Sequence, residues 1–281
     1  MKKLFEASLI VLIFIAIISI FFNFSQSRAN GKIIQNTNES NKLTSNIIAP
    51  NTSTTQPVVR VPILVYHSVR PYFAGESNSI KKYDVDPNNF KLQLQYLKSH
   101  GYTAVSFDKL VKYFDGVPLP KKPVIISFDD GWENQFTNAF PILKDEKITA
   151  TFYIYTNAIG KKNYFSWEQV QELSNAGMEI GDHSKSHPFL WKITDQKLLQ
   201  IEIADSKKTI EDHIGKTITT FAYPFGLYKP ITIDAVKAAG YTSARTGFER
   251  TTHSKDDLFI LHSFEVSNNM KMFVGNLEHL K

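Results

Sequence analysis

Residues 123–131, PVIISFDDG, constrain this 281-residue chain more than any other stretch. Apart from Ser127, Val124 onward to Phe128 is apolar and rich in β-branched residues, which suits a strand buried on both faces. The run then stops at Asp129, Asp130 and Gly131. Successive side chains on a regular strand point to opposite faces. Two adjacent carboxylates therefore converge only where the strand breaks into a loop, a break that Gly131 eases. The plain alternative is an Asp-Asp-Gly turn with no chemistry attached.

A strand buried on both faces needs helices on either side of its sheet, and the flanking sequence supplies alternating units. Residues 61–67 (VPILVYH), 103–106, 149–155, 178–182, 218–223, 241–246 and 258–266 read as further strands. Between them, Phe90, Leu94 and Leu97 recur at helical spacing before Gly101, and a short helix is expected at 110–114. Residues 132–147 have the length of a helix interrupted or kinked at Pro141. Ser166 and Gln169 form a capping-box pattern for a helix to about Ala176, and Thr194 is placed to cap a long helix over about 195–213. Further helices are expected at about 231–239 and after Ser267. The order predicts an α/β fold with a parallel sheet, either a barrel or a doubly wound sheet.

The ends of the chain set its address. Lys2 and Lys3 precede an apolar run over 7–22 broken only by Ser8 and Ser19, so residues 1–29 read as a signal peptide or an N-terminal membrane anchor. Cleavage after Ala29 is one outcome and retention the slightly favoured one. Residues 30–60, rich in Asn, Ser and Thr, read as a disordered tether, and residues 61–281 as one catalytic domain outside the cytoplasmic membrane. The absence of cysteine removes disulfides, thiolate metal sites, cysteine nucleophiles and lipid attachment through a cysteine. The net charge of +5 is dispersed without a Lys/Arg run, which argues against a nucleic-acid partner.

Four predicted strands end in residues able to do chemistry: His67, the pair Asp129 and Asp130, the pair His183 and His187, and the turn at 222–226. In a β/α barrel such ends share one face. Pro188 biases His187 away from helical geometry, so HSKSH is expected on a loop that wraps a ligand rather than on a helix. Two imidazoles and one carboxylate, with a position left for water, make a catalytic zinc-type set; a polar surface loop is the alternative for HSKSH alone.

Taken together, SFDDG, HSKSH and FAYPFG resemble the first three motifs of the polysaccharide deacetylases of carbohydrate esterase family 4, the NodB-homology domain, over about residues 61–266. The resemblance implies a distorted (β/α) barrel of about seven strands that hydrolyses N-acetyl groups and releases acetate. It makes Asp129 the catalytic base and Asp130, His183 and His187 the ligands of one divalent ion, zinc first, with cobalt, nickel and iron open. The backbone N–H of Tyr223 is expected to hold the oxyanion, and Tyr223, Phe225 and Trp191 to wall the acetyl pocket or sugar groove. Two histidines compete for the general acid. Ile260-Leu261-His262 imperfectly matches the common late motif, whereas VPILVYHSV matches the circularly permuted branch that includes the IcaB-like deacetylases of poly-β-1,6-N-acetylglucosamine, so His67 is chosen.

One departure stands out. Ala222 occupies the place where many members carry an arginine that pairs with the catalytic aspartate; Arg245 is a candidate substitute, against the plainer reading of a surface or structural ion pair. The expected substrate is an extracellular N-acetylglucosamine polymer, poly-β-1,6-N-acetylglucosamine before peptidoglycan or chitin, acted on by a monomer. A tethered glycan-binding domain without turnover is the non-enzymatic alternative.

Overall fold

The computed structural model describes residues 57–73, 75–77 and 81–279. The expected leader at 1–29 and nearly all of the tether at 30–60 lie outside the described residues. Among those residues no helix is long and apolar enough to cross a membrane.

The strands are β1 (Val59–Arg60), β2 (Ile63–Tyr66), β3 (Ser68–Val69), β4 (Asp84–Val85), β5 (Thr103–Ala104), β6 (Pro123–Phe128), β7 (Thr151–Ile154), β8 (Glu179–Asp182), β9 (Thr220–Ala222), β10 (Ser243–Arg245), β11 (Thr252–His253) and β12 (Phe264–Glu265). The helices are α1 (Pro87–Ser99), α2 (Phe107–Phe114), α3 (Phe140–Glu146), α4 (Trp167–Asn175), α5 (Gln196–Ile214), α6 (Pro230–Ala238) and α7 (Met270–His279). Seven strands run parallel in the order β10-β9-β8-β7-β6-β2-β12, with β5 paired to the first two residues of β6. All six residues of β6 are buried, as its composition requires, with β2 on one side and β7 on the other.

Alternation along the strands separates two cores. Leu64, Tyr66, Ile126, Phe128, Phe152 and Phe221 pack towards the helices in the larger cluster. Ile63, Ile125, Tyr153, Ala222 and Leu261 form a smaller cluster on the opposite side of the sheet. Gly181 makes room for the Tyr153 ring, since a Cβ there would stand 2.4 Å from it. The residues that continue this inner row on β6 and β10 are Asp129 and Arg245, so the small core leads directly to the site.

The expected last strand over 258–266 divides its hydrogen bonds between the two outer strands. The Thr246 N–H donates to Leu261 and Leu261 to Ala244 beside β10, whereas Phe264 and Glu265 pair with Leu64 and Val65 of β2. One segment thus links both edges of the sheet.

Two further expectations are corrected. The domain begins before Val61, because β1 pairs antiparallel with β11. Asp195, not Thr194, caps α5, its side chain accepting from the N–H groups of Lys197 and Leu198. The helix expected over 132–147 forms with its irregularity beside Pro141, as a π-helical turn, Gln135–Ala139, whose end is marked by the Phe140 N–H reaching back to the Gln135 carbonyl. Pro141 lacks the N–H that a regular helix would use there.

Candidate active site

Asp129, Asp130, His183 and His187 meet at the carboxyl ends of β6 and β8. Asp130 has φ +76° and Gly131 φ +72°, and these left-handed residues turn the chain sharply so that the two carboxylates diverge in role. A side chain at Gly131 would press on Ile154, its Cβ 3.1 Å from Cγ2. Trp132 donates its indole N–H to Asp130 Oδ2 at 3.1 Å, leaving Oδ1 to face the imidazoles.

The HSKSH segment is a loop, as Pro188 predicts, with Ser184 at φ +71° and His187 at φ +56°. It is tied down at several points: His187 N–H donates to Ser184 Oγ, and Glu202 of α5 accepts from the N–H and hydroxyl of Ser186. Buried His183 makes a 2.7 Å hydrogen bond between Nδ1 and the Ala222 carbonyl. A carbonyl only accepts, so Nδ1 carries the proton and Nε2 keeps its lone pair, an orientation typical of a metal-ligating histidine.

His183 Nε2 and His187 Nε2 are 3.2 Å apart, and Asp130 Oδ1 lies 3.9 and 3.6 Å from them. Ligands about 2.0–2.2 Å from a tetrahedral ion stand about 3.4 Å from one another, so this donor set fits a divalent ion such as zinc. Among the described residues these three are the group of His and Asp side chains that could hold a metal.

Asp129 is turned away from that task. Arg245 Nη2 hydrogen-bonds both of its carboxylate oxygens, while Oδ2 is 3.8 Å from His183 Nε2. Burial alone would raise the Asp129 pKa, but the Arg245 guanidinium, with His183 and His67, outweighs it and holds the carboxyl below its usual value. Arg245 is itself buried, its guanidinium 5.2 Å from the Tyr153 ring centre, and it occupies the role that Ala222 leaves vacant.

His67 shows the opposite shift. Burial favours its neutral form, but the charge of Glu265, a polar contact with it, and the charges of Asp129 and Asp130 together push its pKa up to about 9. Nδ1 lies 3.2 Å from Glu265 Oε2 as an ion pair. His262 stands apart: its Nδ1 meets the Phe248 carbonyl at 2.9 Å, and burial and Arg250 lower its pKa.

The expectation for Tyr223 is corrected. Its N–H donates to the Arg245 carbonyl in the β9–β10 pairing at 3.0 Å, its hydroxyl donates to the Phe259 carbonyl, and its ring is buried. It is neither a free oxyanion donor nor a groove wall. In the turn that follows, Gly226 donates to Tyr223 and Leu227 to Pro224, and Pro224 has no N–H, which leaves the amide of Phe225. Phe225 sits at φ +61° with its ring 4.6 Å from His187. Trp191 is half-buried, with the ammonium groups of Lys192 and Lys229 at 5.4 and 5.6 Å from its ring centre.

Two site residues gave no sequence signal as such. Buried Gln135 donates from Nε2 to the carbonyls of both His67 and Asp129, clasping the ends of β2 and β6. Glu265, the partner of His67, is remote in sequence but is brought to it by the parallel pairing of β12 with β2.

A parallel β/α sheet carrying a two-histidine, one-carboxylate donor set, with an ionised carboxylate and a raised-pKa histidine beside it, defines a hydrolytic metal-site class. The comparisons with known proteins agree. The polysaccharide deacetylase family model matches residues 116–244. YxkH of Bacillus subtilis (strain 168), which carries a provisional polysaccharide-deacetylase name, is 30% identical over 231 residues, covering 81% of this chain and 79% of its own. The poly-β-1,6-N-acetyl-D-glucosamine N-deacetylase of Staphylococcus aureus (strain MRSA252) is 31% identical over 198 residues, 63% of this chain and 68% of its own. Among solved structures, the deacetylase PplD of Streptococcus pyogenes in complex with acetate superposes with a TM-score of 0.72 at 26% identity, covering 79% of this chain and all of that one. IcaB from Ammonifex degensii gives 0.68 at 25% identity, over 78% and 95%. This chain belongs to the polysaccharide deacetylase family, carbohydrate esterase family 4, and is a polysaccharide N-deacetylase.

Proposed function

We propose that this chain removes N-acetyl groups from poly-β-1,6-N-acetylglucosamine outside the cytoplasmic membrane, using one divalent ion held by Asp130, His183 and His187. The observation that carries the chemistry is the split in charge between buried Asp129 and half-buried His67. Asp129 is held ionised by Arg245, and His67 is held protonated with Glu265, so the site keeps a base and an acid at the same neutral pH. The ion, with zinc the first candidate, would supply Lewis acidity and lower the pKa of water at the site.

The rest falls to the protein. Asp129 takes the proton of the water that attacks the acetyl carbonyl, and Arg245 keeps its carboxylate oriented as it does so. The Phe225 N–H faces the developing oxyanion, replacing the Tyr223 amide expected from sequence; such a preorganised donor is worth about 3 kcal/mol. His67 gives its proton to the departing nitrogen, so that water and amide become acetate and amine. A glycan-binding domain without turnover needs neither a base nor an acid beside its ligands, and the paired environments of Asp129 and His67 speak against it.

The polymer follows from the early Tyr-His strand end, from the FAYPFG form of the third motif, and from similarity to the staphylococcal enzyme. The extracytoplasmic address rests on the Lys2-Lys3 apolar leader. Incubating the zinc-loaded protein with poly-β-1,6-N-acetylglucosamine, peptidoglycan and chitin oligomers, and measuring acetate and new amines, tests the reading. Release is expected from the first polymer and should vanish with chelator. Release from peptidoglycan or chitin alone would replace the substrate, and none from any polymer would favour the binding domain.

A further inference from the structure

An unbroken row of side chains leads outward from the metal ligands. The His187 ring contacts Phe225 at 4.6 Å, Phe225 stacks on Phe189 at 4.2 Å and 18°, and Lys192 Nζ lies 4.9 Å from the Phe189 ring centre and 5.4 Å from that of Trp191. Lys229 Nζ is 5.6 Å from the other end of the row, the Trp191 ring. Phe225 and Phe189 are each 41% exposed, so the outer edges of the stacked pair remain accessible to a sugar ring. Neither lysine has a carboxylate within ion-pairing distance among the described residues.

Clustered aromatic faces ordinarily attract ammonium groups. In this row two ammonium groups already lie over the rings of Phe189 and Trp191. A sugar ring with a neutral acetamide can pack on the exposed rings, whereas a glucosamine unit would bring a second positive charge within a few ångströms of Lys192 or Lys229, with no acid beside them to offset it. We infer that Phe189, Trp191, Lys192 and Lys229 form a subsite that accepts N-acetylglucosamine and rejects glucosamine, so that units already deacetylated cannot occupy it while a neighbouring unit reacts. The inference rests on the reading of the site as a deacetylase of an N-acetylglucosamine polymer, and it makes the product partially deacetylated with its glucosamine units spaced apart. The row begins at a metal ligand, which favours a glycan segment over a lipid surface as its occupant.

The test uses the full chain loaded with zinc. A glucosamine pentamer has no acetyl group to lose and acts only as a competitor of the acetylated pentamer. Its inhibition constant should exceed the KM of the acetylated pentamer by about tenfold or more, and the gap should narrow in 1 M salt, where screening acts over about 3 Å. In the double variant Lys192→Glu/Lys229→Glu the inhibition constant should fall by about tenfold, and exhaustive digestion should reach a higher degree of deacetylation than with wild type. Lys192→Gln/Lys229→Gln should lie between. An unchanged inhibition constant and an unchanged digestion endpoint in the glutamate variant would overturn the subsite. So would unchanged constants accompanied by lost binding to anionic phospholipid vesicles, which would assign the row to a membrane surface. Failure of the deacetylase reading is distinguishable, because wild type would then release no acetate from the acetylated pentamer.

Discussion

At the carboxyl end of the sheet Asp129 is buried against Arg245, and its pKa is lowered; at the amino end Glu179 is half-buried, and its pKa is raised. Glu179 accepts from Thr151 Oγ1 and from the Phe107 and Asp108 N–H groups at the start of α2, but among the described residues it pairs with no cation. The histidines of the two ends diverge as well. His67, beside Glu265, is pushed up to about 9, while His253, with burial first and only the Val61 carbonyl as partner, is pushed down to about 4. Desolvation pushes all four residues towards their neutral forms, so the charged partner decides which end holds groups ready for proton transfer.

The largest break in this contrast should come from Asp129→Asn. It removes the base and leaves a buried guanidinium unpaired, so kcat should fall by about 10²–10⁴ and stability by about 3–5 kcal/mol, read by acetate release and by urea unfolding. Next is His67→Ala, expected to lose about 10²–10⁴ in kcat while bound zinc, measured by elemental analysis, stays at the wild-type ratio. His262→Ala should remain within a few-fold of wild type, and the reverse ranking would move the acid to the later motif.

Glu265→Gln should act more gently. Removing its charge lowers the His67 pKa, so the alkaline limb of the kcat/KM profile should move to lower pH, with zinc content unchanged; a limb that stays in place would detach Glu265 from His67. At the amino end, His253→Gln should leave kcat unchanged. Because the folded pKa of His253 lies below its unfolded value of about 6.5, the unfolded chain binds more protons between pH 6.5 and 4, and wild type loses stability as pH falls through that window. Urea unfolding of the variant should show a shallower acid loss.

Local pattern carried much of the fold. The buried strand before Asp129, the capping box at Ser166 and the loop imposed by Pro188 are each written in a few consecutive residues. What escaped depended on contacts distant in sequence. The strand expected over 258–266 divides because two neighbouring strands need it, and although Arg245 is a candidate partner for Asp129 in the sequence, the pair spans 116 positions and only the fold brings it together. Tyr223 was assigned the oxyanion because a motif does not reveal which amide the β10 ladder has already taken. Gln135 resembled any polar helical residue, and only the π turn aims it at two carbonyls.

The claim that paired environments set an acid and a base apart is tested most directly by titrating the His67 ring by NMR in the zinc-loaded wild-type protein and in Glu265→Gln. An imidazole still protonated at pH 7.5 in wild type, and titrating at lower pH in the variant, is the expected result. A wild-type ring already neutral at pH 7 would contradict it.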